Sequence, residues 1–349
     1  MTTANQRTTS TVGDRLEGGS VAIVAEIGQS HGGSIENALR AIDVAATTGV
    51  DAVKFQLHIA DAESTTREPW RVDPHSGRSR QEYWRSMEFT LEQWRRIRDR
   101  CNSHGVEFFA SPFSPEALDV LLNLGVHTVK LSSGEALNAQ LVDLVAGLDL
   151  RVVASNGLMN NSEVDALVAH LQRAGNELIL LQCTTRYPTA PTETALASIP
   201  EMRNRYNCHV GISDHSGTIF PSIAATALGA SMIEVHLAIE ASESNLDLSS
   251  SISAEALAEL VQGVRFVEES RNVSRPVQLS PETTDLRLIF GRSLVAARTI
   301  ERGQEITEPD LAYRKPAGGL GWTDRRRIVG RRARRLIGVN ELIRDEDVK

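Results

Sequence analysis

The chain has 349 residues, with 37 Lys and Arg against 45 Asp and Glu and a formal net charge of −8. That length suits one large domain and a smaller one with an enzyme-sized core, and the acidic balance argues against a nucleic-acid partner. Three cysteines, Cys101, Cys183 and Cys208, are too few and too scattered for a disulfide framework or a zinc ribbon. No apolar run reaches the roughly 20 residues that a bilayer crossing needs, and the N-terminus has no basic-then-apolar signal pattern. A soluble, cytoplasmic protein without a membrane partner is expected.

Residues 1–19 are rich in Thr, Ser and Gly and predict a disordered leader. From residue 21 onward, short apolar runs of β-forming residues recur, most of them separated by a helical pattern. They are "VAIVAEI" (21–27), "DAVKFQL" (51–57), "GVEFFAS" (105–111), "VHTVKLS" (126–132), "LRVVASN" (150–156), "ELILLQC" (177–183), "CHVGISD" (208–214) and "SMIEVHL" (231–237). The connectors "SIENALRAIDVAATTG" (34–49) and "LEQWRRIRDRCNSHG" (91–105) read as amphipathic helices stopped by glycine. "SPEALDVLLNLG" and "SEVDALVAHLQRAG" each open on a serine N-cap with a glutamate in the first turn. Eight strands alternating with helices predict an α/β fold, a (β/α)8 TIM barrel over residues 20–270, rather than an open doubly wound sheet. No G-x-G-x-x-G follows the first strand, which weakens a dinucleotide-binding assignment.

Two stretches break the rhythm. Residues 58–88 form a long polar insertion after the second strand, either a lid over the active site or a surface loop. Residues 271–284, with Pro276 and Pro281, read as a linker. Residues 285–349 have short strands and tight glycine turns and predict a small β-rich domain.

In such barrels the active site lies at the C-terminal ends of the strands. There the first strand supplies Glu26, and the second Lys54 and Gln56, two apart and so on one face. The fourth gives Lys130, Ser133 and Glu135, the fifth Ser155, and the sixth Thr185 and Tyr187. The seventh gives Ser213 and His215, and the eighth Glu234 and His236. Only the third strand offers no such group. Two lysines with several serines suit a doubly anionic ligand such as a phosphorylated carboxylate. Neutral His215 and His236 can hold a divalent cation with Glu234 orienting or supplementing them; hydrogen-bonded core imidazoles are the alternative. Glu26, Gln56, Glu135 and Tyr187 remain for a hydroxyl-rich second substrate.

The segments "AEIGQSHGG", "AVKFQ", "FFASPF", "VKLSSGE", "CTTRYP", "GISDHS" and "EVH", closing with "RSLVA…RGQEIT…DL…RKPAGG", resemble the sialic acid synthase family. The resemblance runs in one order from about residue 21 to 349. It implies a TIM barrel with a C-terminal antifreeze-like (SAF) domain, and a homodimer in which each SAF domain caps the partner's barrel. It also implies condensation of phosphoenolpyruvate with an N-acylated mannosamine or related amino sugar. By resemblance, His215 and His236 bind Mn²⁺, with Mg²⁺ or Co²⁺ as alternatives. Lys54, Lys130, Ser133, Ser155, Thr185 and Ser213 hold phosphoenolpyruvate. Glu26, Gln56, Tyr187 and Asp247 match sugar-facing or acid–base positions, and Glu135 and Glu234 flank the reacting centre. Phe290 matches an aromatic near the sugar, and a basic residue of the partner's SAF domain, Arg314 or Lys315, reaches the acyl group.

The sequence departs from the family pattern at Ser30, Val235, Leu248 and Lys315, where Asn, Lys, His and Arg are usual. These changes are expected to gather around the sugar and to alter the acceptor. Two rival assignments are a 3-deoxy-ulosonate synthase acting on another aldose and an inactive sugar-binding barrel. The run "RRRIVGRRARR" (325–335) raises nucleic acid as a partner, but a basic face meeting the partner barrel or solvent fits the acidic whole better.

Overall fold

The computed structural model describes residues 11–71, 77–239, 246–271, 273–274 and 278–349. The chain divides into two compact units between Val273 and Ser274. In the first, β1 (Ala22–Gly28), β2 (Ala52–Leu57), β3 (Glu107–Pro112), β4 (Thr128–Leu131), β5 (Arg151–Ser155), β6 (Glu177–Cys183), β7 (His209–Asp214) and β8 (Met232–Leu237) pair in sequence order. All these pairings are parallel, and β1 pairs with β8 to close the barrel. A short β9 (Ser251–Ile252) pairs with β8. Each predicted strand is present, with ends within about two residues of those expected.

Helices connect the strands: α1 (Val12–Glu17) precedes β1, and α2 (Ile35–Thr48) follows it. After β2 come α3 (Ala60–Glu63), α4 (Arg80–Met87) and α5 (Leu91–His104). Then α6 (Pro115–Asn123), α7 (Ala139–Ala146), α8 (Asn161–Ala174), α9 (Ser198–Tyr206), α10 (Phe220–Ala227) and α11 (Ala254–Arg271) complete the unit. Side-chain caps set the starts of several of them, as Ser34 accepts from Asn37 N and Ser114 from Ala117 N. No helix among the described residues is long and apolar enough to cross a membrane.

The two-residue strand period explains where the core ends and the site begins. Val24, Ala52, Phe109, Val153, Leu181 and Met232 form an apolar cluster inside the barrel. Two residues further along the same strands stand Glu26, Lys54, Ser111, Ser155, Cys183 and Glu234, on the same inward face but in the next layer. The intervening positions, such as Val53, Val152, Leu180 and Ile233, point outward and pack beneath the helices. Gly211 keeps the inner layer passable. A Cβ there would lie 2.2 Å from Met232 O and 2.7 Å from a Leu181 methyl.

The expected disordered leader is corrected in part. Residues 1–10 lie outside the described residues, but Val12–Glu17 form α1, capped by Thr11 and Asp14. Val12 and Leu16, four apart on one helix face, are buried in the inner apolar cluster. Glu107 accepts from Val12 N at 2.7 Å, and Arg15 pairs with Asp51 at 2.7 Å. Composition hid this plug, because two apolar residues suffice to fill the N-terminal mouth of a barrel.

The second unit carries α12 (Pro281–Phe290), β10 (Ser293–Ala296), antiparallel β11 (Leu311–Arg314) and α13 (Arg325–Ile328). Its core includes Leu294, Ile300, Ile306, Ile328, Ile337 and Ile343. The helix α12, with Ser280 at its N-cap, begins inside the segment expected as a linker. Residues 272 and 275–277 of that segment lie outside the described residues. Four of the seven arginines in 325–335 are ion-paired: Arg325 with Glu308, Arg327 with Asp324, Arg332 with Glu305, and Arg335 with Asp347.

The plug assignment has a measurable consequence. Leu16→Ala should destabilise the barrel by roughly 2–4 kcal/mol, as expected for a large-to-small change in a packed core, without changing ligand binding at the opposite mouth. Urea unfolding of the two proteins reads this directly; an unchanged midpoint would contradict it.

Candidate active site

A cavity of about 360 Å³ lies where the strand C-termini converge. Four charged side chains from four strands lie at its floor, Lys54, Lys130 and Glu234 lining it and Glu26 directly behind Lys54. Lys54 Nζ is 2.6 Å from Glu26 Oε2 and 3.8 Å from Glu234 Oε2, and it reaches Ser111 Oγ at 3.4 Å. Lys130 Nζ donates to Ser155 Oγ at 2.7 Å and stands 4.0 Å from Glu234 Oε1. Ser213 donates to the same Glu234 oxygen at 2.8 Å. All four charged groups are almost completely buried.

Burial and mutual attraction pull these groups in different directions. Burial works against ionisation of Glu234, yet the Lys130 and Lys54 ammoniums hold its pKa down to about 2. For Glu26 burial prevails over Lys54, and the Glu234 charge adds to it, so the carboxyl is pushed up. Burial pulls Lys130 down, whereas at Lys54 the two carboxylates overcome burial and raise it. The pair of glutamates is thus divided: Glu234 stays ionised, and Glu26 is the more ready proton acceptor.

Around Lys130 the loops after β4, β5 and β6 supply small donors. Ser133 Oγ accepts from Gly157 N at 3.2 Å and lies 3.4 Å from Cys183 Sγ. Among the described residues Thr185 Oγ1 is buried without a hydrogen-bond partner. Gly157 permits this convergence. A Cβ there would meet Thr185 Oγ1 at 2.4 Å, Ser133 Oγ at 2.8 Å and Cys183 Sγ at 3.0 Å.

On the other side His215 and His236 stand side by side, with ring centroids 5.3 Å apart, and Tyr187 stacks on His215 at 4.1 Å. Burial pulls the His236 imidazole down to about 4, so its ring is neutral near pH 7. Thr184 O lies 3.0 Å from His215 Nδ1, which makes Nδ1 the donor and leaves the lone pair on Nε2. Asp247 Oδ2 is 3.9 Å from His236 Nδ1. Gly28, at φ 51°, ends β1 against this ring; its Cβ would lie 3.3 Å from His236 Nδ1. Burial works against the charged form of His215 as well, but Cys183 and the Thr184 carbonyl outweigh it and raise its pKa, so a cation there would have to displace a proton. Once deprotonated, two imidazoles with a nearby carboxylate are the donor chemistry a borderline divalent cation accepts. Among the described residues no cluster of three or more His, Cys, Asp or Glu forms, so water and substrate oxygens would have to complete its shell.

The strand-end residues expected in the site do come together: Gln56, Glu135, Ser155, Tyr187 and Asp247 line the cavity with the lysines and histidines. Glu26 contacts it through Gln56, whose Nε2 donates to Glu26 Oε1 at 3.0 Å. Glu135 is held by Asn138 Nδ2 at 2.9 Å, and burial raises its pKa. Phe290, Arg314 and Lys315 belong to the second unit. There Lys315 Nζ lies 5.1 Å from the Phe290 ring centroid, and Arg314 donates to Asn340.

Several expectations change. The third strand is not silent: Ser111 of "FFASPF" lines the cavity beside Lys54. The insertion at 58–88 forms a wall of the cavity through His58, Glu63, Trp70, Arg71, Arg80 and Trp84; residues 72–76 lie outside the described residues. Arg71 was not anticipated. It donates to Asp247 Oδ1 at 2.6 Å, and its guanidinium sits 3.9 Å over the Tyr187 ring. Val235 is not around the sugar position, because it faces outward into the barrel–helix core. Ser30 donates to Leu237 O at 2.9 Å in a buried setting. Leu248 is half exposed next to Asp247.

Gly157→Ala should weaken binding of inorganic phosphate, the simplest dianion, by about tenfold. The new methyl would rotate the three small donors out of position and cost them a hydrogen bond or two. Their side chains can turn away, so the melting temperature should hardly move. Calorimetric titration checks the first half and a thermal melt the second, and unaltered phosphate affinity would refute the cradle.

With this geometry in view, comparison with known proteins is specific. The NeuB family matches residues 41–275, and the SAF domain matches residues 291–349. The N,N'-diacetyllegionaminic acid synthase of Campylobacter jejuni is 28% identical over 330 residues, covering 93% of this chain and 98% of that protein. The N-acetylneuraminate-9-phosphate synthase of Drosophila melanogaster is 30% identical over 93% of this chain and 95% of its own length. A solved structure of N-acetylneuraminic acid (sialic acid) synthetase from Leptospira borgpetersenii, in complex with citrate, is similar with a TM-score of 0.67. It is 28% identical, over 76% of this chain and 90% of that one. The chain therefore belongs to the NeuB family, with a SAF domain at its C-terminal end.

Proposed function

We propose that the protein condenses phosphoenolpyruvate with an N-acylated mannosamine-type or related sugar aldehyde, yielding a nonulosonic acid and phosphate. The observation that carries this assignment is the floor of the cavity, where the buried ammoniums Lys54 and Lys130 stand among serine hydroxyls. Such a floor suits the phosphate and carboxylate of one small ligand. The names and full-length coverage of the relatives support the same reaction class.

In the reaction, carbon 3 of phosphoenolpyruvate forms a bond to the aldehyde carbon of the acceptor, and the carbonyl π pair becomes an alkoxide that takes a proton. Water then adds at carbon 2, and the bond from carbon 2 to the bridging oxygen breaks, releasing phosphate. Lys54, Lys130, Ser111, Ser133, Ser155, Thr185 and Ser213 bind and orient phosphoenolpyruvate. Glu234 keeps both ammoniums charged and in place, and Glu26, with its raised pKa and behind the cavity lining, exchanges the acceptor proton by way of Lys54, whose Nζ lies 2.6 Å from it. Gln56, Glu135, Tyr187 and Asp247 position the sugar, and the insertion wall excludes water from the reacting carbons.

His215 and His236 would hold a divalent cation, Mn²⁺ first and Mg²⁺ or Co²⁺ as alternatives, which when bound polarises the aldehyde as a Lewis acid. The working form is a homodimer, acting in the cytoplasm, in which each SAF domain caps the partner's barrel. Phe290, Arg314 and Lys315 then complete the sugar end. Support comes from α12, which buries none of its own residues.

The assignment is tested by phosphate release from phosphoenolpyruvate across a panel of N-acylated hexosamines. Turnover should require one of them, and release that ignores the sugar would contradict it. Lys315 in place of an arginine, and Leu248 beside Asp247, lead us to expect a related hexose to outrun N-acetylmannosamine. Within that assay, Lys130→Ala should lower kcat/KM for phosphoenolpyruvate by roughly a hundredfold while leaving the acceptor KM nearly unchanged. A loss confined to the acceptor would invert the division of the pocket. Chelation should abolish turnover, and His236→Ala should lower bound metal, measured by elemental analysis, without unfolding the barrel. Full activity of metal-free protein would exclude the cation's role.

A further inference from the structure

Just past β2, the insertion opens on a buried histidine that has no place in the reaction outlined above. His58 is clamped face to face between Trp84, with ring centroids 4.3 Å apart, and Phe113, at 4.5 Å. The interplanar angles are 12° and 17°, so the ring plane is fixed. Its Nδ1 lies 2.8 Å from Glu63 Oε1, and its Nε2 lies 3.3 Å from Gln56 Oε1. Both partners are acceptors, a carboxylate on one side and an amide oxygen on the other, so the two contacts are satisfied together when the ring carries both protons and pairs as an imidazolium with Glu63. The opposite end of that amide, Gln56 Nε2, donates to Glu26 Oε1, and Glu26 Oε2 meets Lys54 Nζ.

We propose that His58, oriented by Glu63, is a positioning residue that fixes the Gln56 amide with its NH₂ group turned toward Glu26 and the cavity. The inference rests on the reaction assigned above only for what Gln56 then meets, a sugar oxygen. A reversed amide would set the Gln56 oxygen against the Glu26 carboxylate, acceptor against acceptor, and its NH₂ against a ring nitrogen that is a donor here. One N–H of Gln56 is committed to Glu26, and because Gln56 lines the cavity the other N–H is the one a ligand there can use. The acceptor therefore meets a hydrogen-bond donor at this point of the wall, and it must present an oxygen with a free lone pair. Selectivity for that oxygen follows from His58 acting through the Gln56 amide.

The test pairs His58→Phe with Glu63→Leu, which keeps an aromatic ring between Trp84 and Phe113 and leaves no buried carboxylate unpaired. This double variant should raise the KM of the acceptor about tenfold, the cost of losing one well-placed hydrogen bond. The KM of phosphoenolpyruvate should stay within about twofold, since the lysine floor is untouched. Added to Gln56→Ala, the two changes should cause no further loss, because His58 acts through Gln56. Equal losses for both substrates, or losses that add to those of Gln56→Ala, would overturn the proposal. A second readout does not need the reaction. The ¹⁵N side-chain amide signals of Gln56, assigned with Gln56→Ala, should be one sharp pair in the parent protein and should shift and broaden in the double variant. Unchanged signals would overturn the proposal even if the acceptor assignment were wrong, and parent protein that turned over no sugar would count against that assignment alone.

Discussion

Two ammonium groups share the interior of one barrel with two carboxylates, and the unequal way they are shared decides where a ligand can sit. Lys54 lies against Glu26 at 2.6 Å and near Glu234 at 3.8 Å, so its charge is answered within the protein. Among the described residues Lys130 has one carboxylate, Glu234 at 4.0 Å, and otherwise the neutral Ser155 hydroxyl and Leu131 carbonyl. In a site of low effective dielectric this asymmetry is costly, and burial already pulls the Lys130 pKa down. An arriving anion restores the balance on the Lys130 side, where Ser133, Thr185 and Gly157 converge. An incomplete ion-pair network is thus the physical basis of the phosphate recognition we propose.

That network can exist only because the strands deliver it as a layer. The inward positions below it are mostly apolar, Thr128 beneath Lys130 being a buried polar exception held by Glu107, and α1 seals the far mouth with Val12 and Leu16. A barrel filled from below keeps water away from the underside of the lysines and glutamates, which strengthens their coupling. Above the layer, control passes to segments that come from elsewhere in the sequence. Arg71 ties the insertion to Asp247 and Tyr187, and His58 ties it to Gln56. The floor is set by strand periodicity, and the wall by tertiary contacts.

This division also explains what could be read from the sequence. Period-two alternation identified the eight strands and most of the floor, since Lys54 and Gln56, or Glu234 and His236, must share a face. Ser111 escaped notice because it follows two phenylalanines in an apolar run, and its role depends on Lys54 from the neighbouring strand. The helix at residues 12–17 was hidden by its polar surroundings. Val235 illustrates a different error. Its alternation with Glu234 and His236 already put it on the outer face, but family pattern suggested a sugar contact, and the local geometry prevails. Arg71, Trp84 and His58 carry no sequence signal of their own, because a loop's docking onto a cavity leaves no periodicity.

The central claim, that an incompletely neutralised lysine pair is a preformed anion site, is tested most directly by titrating phosphoenolpyruvate calorimetrically into protein free of any sugar. The account predicts one saturable site per barrel, competed by inorganic phosphate and lost in Lys130→Met, in which the packed stem remains but the charge is gone. Binding that requires the sugar first, or that survives Lys130→Met at full affinity, would contradict it.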